Sequence, residues 1–160
     1  MMILKGIKMI PLKDFKIVMN NAPLITIDFI CKDKNNKILL GKRVNNPAKD
    51  FYFTPGGRIF KNEKIEIAIK RLSLKELGCE IELKDLKFNG IYEHMFDDSI
   101  FEDVSTHCIN LAFEYSFETF NSLPNFEHED YKMFTENEIM INKKVHDYVR
   151  DFFKKEKGIK

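Results

Sequence analysis

The chain has 160 residues, 44% of them hydrophobic and 32% charged, with 7 glycines and 5 prolines. That size and balance suit a single domain spanning 1–160 with a substantial core, and exclude a disordered, collagenous or low-complexity chain. Lys+Arg 26 against Asp+Glu 25 leaves a formal net charge of +1, so no global basic field points to nucleic acid and any anion site must be local.

The opening segment Leu12 to Asn20 carries Leu12, Phe15, Val18 and Met19 on one face and predicts a short helix. Leu24 to Cys31 is an apolar, β-branched run of strand length in which Asp28 is out of place. A turn at Asp33-Lys34-Asn35-Asn36 and a second strand, Lys37 to Gly41, complete a hairpin. Phe51 to Thr54 is a short aromatic strand stopped by Pro55-Gly56-Gly57. From Glu63 to Leu77 the period becomes helical, with Gly78 at the terminating position.

Strand-like runs follow at Cys79 to Leu83, Lys87 to His94 and Thr106 to Phe117. The final segment, Lys143 to Lys155, spaces Val145, Tyr148, Val149, Phe152 and Phe153 as an amphipathic helix. Phe96 to Thr106 and Phe120 to Asp130 remain as two long loops, a length that in a compact domain often carries function. Strands around a central helix, with helices at both ends, predict an α+β fold in which helices sandwich a mixed sheet.

Cys31, Cys79 and Cys108 are odd in number, widely spaced and set in apolar sequence. They read as reduced, buried thiols of a cytoplasmic protein, not as a disulfide framework or a zinc site. Lys5, Lys8, Lys13 and Asp14 interrupt the apolar N-terminal stretch, and nothing reaches the length of a membrane span.

The most specific pattern runs from Gly57 through Glu63 and Arg71 to Glu76 and Gly78, a glycine six before a glutamate and an arginine eight after it. It resembles the Nudix box, a loop–helix–loop signature whose helix glutamates hold divalent metal against a diphosphate. Two of those glutamates are absent, with Leu72 and Lys75 in their places. The reduced pattern is similar to that of the GDP-mannose mannosyl hydrolases. Matching stretches extend along most of the chain, among them Pro23 to Asp28, Leu40-Gly41-Lys42-Arg43, Phe53 to Arg58, Tyr92-Glu93-His94, Thr106-His107 and His128-Glu129-Asp130-Tyr131.

The resemblance implies a Nudix α/β/α sandwich that hydrolyses GDP-mannose or a related GDP-hexose. Water attacks the sugar C1 with inversion, and GDP leaves as its Mg²⁺ complex, with Mn²⁺ a possible substitute. It implies His128 as base, Arg43 and Arg58 on the diphosphate, and Asp28 and His94 near the sugar. Metal ligands would be Gly56 through its carbonyl, Glu76 and Glu127, the last standing where the family has glutamine. Cys108 stands where the family has a substrate-reaching tyrosine, and a thiol is a weaker donor. A homodimer is implied too, with residues 1–22 in its interface; neither nucleic acid nor membrane is an expected partner.

Structural readings stand beside these. Glu63 and Arg71 are expected to form an ion pair that orients the helix, and His107 and His146 are more often structural than chemical. Arg43 is otherwise a solvated strand-end charge, and Asp28, if buried, needs a partner, either a sugar hydroxyl or an arginine. Phe51 and Tyr52 are candidates to stack a base of any identity. Two other functions remain open: cleavage of the phosphoanhydride, with Glu127 restoring a second carboxylate, and a non-hydrolysing nucleotide-sugar sensor.

Overall fold

The computed structural model describes residues 9–125 and 127–160. The expected interface segment therefore lies partly outside the described residues. The elements in chain order are α1 (Leu12–Asn21), β1 (Leu24–Lys32), β2 (Ile38–Arg43), β3 (Tyr52–Phe53), β4 (Gly56–Arg58), α2 (Ile65–Leu77), β5 (Leu86–Phe96), β6 (Thr106–Ser116), β7 (His128–Phe134), α3 (Glu136–Ile141) and α4 (Asp147–Asp151). Among the described residues no helix is long and apolar enough to cross a membrane.

The strands form one seven-stranded mixed sheet. β1 runs parallel to β6 along its whole length, and β6 pairs with β5 antiparallel. β1 and β2 begin as the expected hairpin, with Lys32 opposite Ile38 and the amides of Asn35 and Lys37 donating to Asp33 Oδ1. They then diverge. The segment Tyr52–Arg58 enters the gap, β3 pairing with β2 and β4 with β1, while the Phe29 amide donates to the Pro55 carbonyl.

Strand alternation divides the core in two. Ile27, Phe29, Cys31 and Leu39 pack with Ala68, Ile69, Leu72 and Leu77 of α2. Ile30, Ile38 and Leu40 face the opposite way, against Ile139 of α3 and Val149 and Phe152 around α4. The sandwich expected from the sequence is the one observed. Gly78 ends α2 with φ 74° and its N–H donating to the Leu74 carbonyl, as its position predicts.

Three expectations about elements require correction. Cys79 to Leu83 is not a strand: the Ile81 amide donates to Ser73 Oγ at 2.9 Å and its side chain packs under α2, so the segment joins the helix and no sheet edge. The closing helix is shorter than Lys143 to Lys155, because Lys144 and His146 spend their backbone groups on Tyr52 of β3. The loop read to Asp130 already contains β7, whose pairing with β2 sets His128 opposite Arg43. Its charged edge-strand sequence buries only His128 and Phe134 and so lacks strand alternation. α3 was not predicted from the sequence; the signal for it is the reciprocal capping box of Thr135 and Glu138.

Gly56 sits where the inserted segment passes closest to β1. A Cβ there would lie 2.2 Å from the Ile27 carbonyl oxygen and 2.3 Å from Asp28 Oδ1. Gly56→Ala is therefore expected to lower stability by about 1–3 kcal/mol through forced displacement of β4, measured by urea unfolding.

Candidate active site

A cavity of about 720 Å³ opens where β1, β4 and β6 meet α1 and α2, the size of a drug-like or nucleotide ligand. Of the expected site residues, Asp28, Arg43, Gly56, Arg58, His94, Cys108 and Glu127 line it. Glu76 and His128 do not. They form a buried layer behind the wall, 3% and 1% exposed, with His128 Nδ1 3.4 Å from Glu76 Oε2.

α2 is fixed to the cavity by the expected ion pair. Arg71 donates through Nε and Nη2 to the two Glu63 oxygens at 2.6 and 2.8 Å, and its Nη2 also reaches the Arg58 carbonyl at 2.8 Å. Burial raises the Glu63 pKa, but Arg71 and the Phe60 amide outweigh it and hold the carboxylate below its usual range. Arg58 itself lies over the Phe15 ring at 4.0 Å and the Phe60 ring at 5.2 Å, with Nη1 buried and unpartnered. Such a guanidinium is held flat and keeps donor capacity for an anion.

Arg43 is not a loose strand-end charge. Its Nε donates to the Pro47 carbonyl at 2.7 Å, and its charge reaches Asp28, Cys108 and Glu127.

The inner part of the cavity carries buried polar atoms whose hydrogen-bonding capacity is not used up. Asp28 Oδ2, Thr54 Oγ1, Asn110 Oδ1 and His94 Nε2 are all buried and unsatisfied. Buried polar atoms cost free energy unless bonded, so this part of the cavity keeps hydrogen-bonding capacity that a polar partner could use. Burial lifts the Asp28 pKa to about 7, against the opposing effects of Thr54, Arg43 and Asn110. Burial likewise pushes His94 down to about 4, and its ring stacks on Tyr148 at 4.4 Å and 8°. His94 is thus neutral at physiological pH, oriented by aromatic packing from Phe53, Phe96 and Phe152. Burial, with Asp28 nearby, raises Cys108 to about 12, so it offers only a neutral thiol.

The two box departures prove structural and chemical. Leu72 is buried against Gly57, where an added Cβ would come within 2.6 Å of Leu72 Cδ2. Lys75 reaches across the wall to Glu127, Nζ to Oε1 2.5 Å, and to Glu76 Oε1 at 3.2 Å. Burial lowers the Lys75 pKa, but the two carboxylates outweigh it and the net shift is upward; Glu127 is lowered in return, Lys75 overcoming burial with help from Arg43 and His128.

A single cation at the Lys75 nitrogen therefore touches both carboxylates expected to hold metal. Among the described residues no three metal-ligating side chains converge. The donor set fits a Mg²⁺ held by one or two carboxylates, with substrate oxygens and water completing its shell.

Sequence reasoning assigned no role to Thr54, although it lies in a matching stretch, missed Asn110, which lies in none, and registered Lys75 only as an absent glutamate. His146 is structural, capping α4 by accepting from the Tyr148 amide. Tyr52 is buried against Phe134 in the core and is not available to stack a base, and Phe51 lies outside this cavity.

Residues 23–155 match the NUDIX domain, and the chain belongs to that family. It is 32% identical over 126 residues to the low-salt glycan biosynthesis protein Agl8 of Haloferax volcanii, covering 78% of this chain and 79% of that one. It is 35% identical over 109 residues to an ADP-ribose pyrophosphatase of Methanocaldococcus jannaschii, covering 68% of this chain but only 59% of that relative. The fold is similar to that of the MutT protein of Methanosarcina mazei (TM-score 0.66, 20% identity, 83% of this chain and 92% of that one). It is also similar to the NUDIX domain of Shewanella oneidensis NrtR, solved with ADP ribose (TM-score 0.62, 15% identity, 90% and 91%).

The Asp28 shift has a consequence for stability. A carboxyl raised from 3.8 to about 7 keeps in the folded state a proton that the unfolded chain releases, so stability falls as pH rises across that window and stays lower above it. Asp28→Asn removes this loss. In EDTA, urea unfolding is expected to show the variant gaining on the wild type from about pH 4 to about pH 8, by a few kcal/mol at most.

Proposed function

We propose that the protein hydrolyses a nucleoside diphosphate sugar, GDP-mannose or a related GDP-hexose, by attack of water at the sugar C1. The C1–O bond to the diphosphate breaks, the water oxygen bonds to C1 with inversion, and free hexose and GDP result. The carrying observation is the wall chemistry at positions 72 and 75. Attack at phosphorus by a metal-activated hydroxide gains from several metal-held charges. Here a leucine and an ammonium stand where carboxylates would hold them, leaving Glu76 and a Glu127 already paired with Lys75. That is enough to support a leaving group.

Arg43 and Arg58 bind the diphosphate and stabilise the charge that grows on it as the bond breaks. Asp28, Asn110 and His94 hold the sugar hydroxyls, with the partly protonated Asp28 able to donate as well as accept. Nudix hydrolases generally use divalent metals; Mg²⁺, held by Glu76, Glu127 and the Gly56 carbonyl, would neutralise the departing diphosphate. His128 takes the proton from water, which requires the Lys75–Glu127 pair in front of it to open. A relative named for glycan biosynthesis supports a nucleotide-sugar substrate. A homodimer and a cytoplasmic location belong to the same proposal.

The second reading, cleavage of the phosphoanhydride to a nucleoside monophosphate and a sugar phosphate, is favoured by the relative named ADP-ribose pyrophosphatase. Incubation of GDP-mannose and GDP-glucose with the protein and Mg²⁺ in oxygen-18 water separates the two. Label in the free hexose with unlabelled GDP is expected; label in GMP or hexose 1-phosphate supports the second reading. His128→Gln is expected to lower kcat by about 10²–10⁴ with little change in substrate affinity by calorimetry. An unchanged kcat would remove His128 as base.

A further inference from the structure

We propose that Lys75 is a tethered counter-ion occupying the cation position between Glu76 and Glu127, and that a divalent ion enters the site only by displacing it. The inference rests on the reading of Glu76 and Glu127 as metal ligands. Its ground is one geometry: the Lys75 nitrogen lies 2.5 Å from Glu127 Oε1 and 3.2 Å from Glu76 Oε1.

The carboxylates are unlike in solvation. Glu127 is partly exposed, and an ion pair there alone is worth little. The Glu76 side chain is 2% exposed, and Lys75, 3.2 Å from its Oε1, is the cation that faces that oxygen. Lys75 thus brings one positive charge to two carboxylates, one of them buried, where a divalent ion would bring two. Glu127 and Lys75 appear in the sequence as separate departures from the box pattern. In the fold they are one charge exchange, an acid added where an amide is expected and an ammonium added to balance it.

Two consequences follow from electrostatics. Metal affinity in the intact protein is reduced by the cost of moving Lys75 away from both acids. Without metal, Lys75 prevents repulsion between Glu76 and Glu127, so its removal destabilises the metal-free protein more than the metal-loaded one.

The test is Mn²⁺ binding to the full chain, read by electron paramagnetic resonance of free ion, with thermal unfolding measured in EDTA and in Mn²⁺. Lys75→Met is expected to bind Mn²⁺ about tenfold more tightly than wild type, a gain of about 1.4 kcal/mol, and to gain more in Tm from Mn²⁺. Lys75→Gln repeats the measurement should the methionine variant not fold. Lys75→Arg keeps the charge and is expected not to tighten binding. Equal or weaker Mn²⁺ affinity in both neutral variants overturns the proposal.

Glu76→Gln tests the underlying reading separately. If it loses Mn²⁺ binding while Lys75→Met gains nothing, the carboxylates hold metal and Lys75 is a bystander. If it binds as wild type does, or if no variant binds Mn²⁺, the metal reading fails and takes the proposal with it.

Discussion

Where β1 and β2 part, the sheet would expose unpaired backbone along two central strands, and the fold closes that gap with the segment Tyr52–Arg58. Closure requires the inserted chain to pass within contact distance of the Ile27 carbonyl and the Asp28 carboxylate, and only a residue without a side chain fits there. Most of the site follows from this packing constraint. It sets Gly56 and Arg58 on the cavity wall, brings Gly57 against Leu72 so that α2 lies close to the sheet, and buries Asp28 beside Thr54. The Glu63–Arg71 pair then ties the start of α2 to its second turn and, through the Arg58 carbonyl, to the same segment.

The charges on this frame are arranged in layers. Lys75 and Glu127 form a partly exposed outer pair, Glu76 and His128 a buried inner one, and Arg43 reaches several acidic or polarisable groups from the other side. Lys75, Glu76 and Glu127 offset one another within a few ångströms, so a near-neutral chain can concentrate charge along one wall of a mainly apolar cavity. Asp28, Thr54, Asn110 and His94 gather further buried polar atoms in the same cavity, with hydrogen-bonding capacity that the protein does not use up. Aromatic packing from Phe53, Phe96 and Tyr148 supplies what hydrogen bonds do not, holding His94 neutral and fixed in orientation.

Elements with a strong local signal were legible without coordinates. The period of α2, its terminating glycine, the apolar β1 run and the long β5 and β6 strands are all in the sequence because burial on one or both faces imposes a repeat. β7 was not, since an edge strand that buries two side chains of seven has no such repeat. The Cys79 to Leu83 run looked like a strand because Cys79, Ile81 and Leu83 alternate with glutamates, but the Ile81 amide donates to Ser73 Oγ and its side chain packs under α2. Length of the closing helix was decided by Tyr52, whose backbone took the partners that its first turn would have used.

The sequence by itself determined the family signature, the ion pair of Glu63 with Arg71, the out-of-place Asp28 and the two missing carboxylates, because each depends on residue type at a short, fixed spacing. Only the tertiary structure decided that Lys75 and Glu127 meet, that Glu76 and His128 stand behind the wall, and that Thr54 and Asn110 share the cavity with Asp28. Lys75 and Glu127 are separated by 52 positions in the chain. Their contact exists because α2 and the approach to β7 are brought to the same edge of the cavity, and no local rule of spacing encodes that meeting.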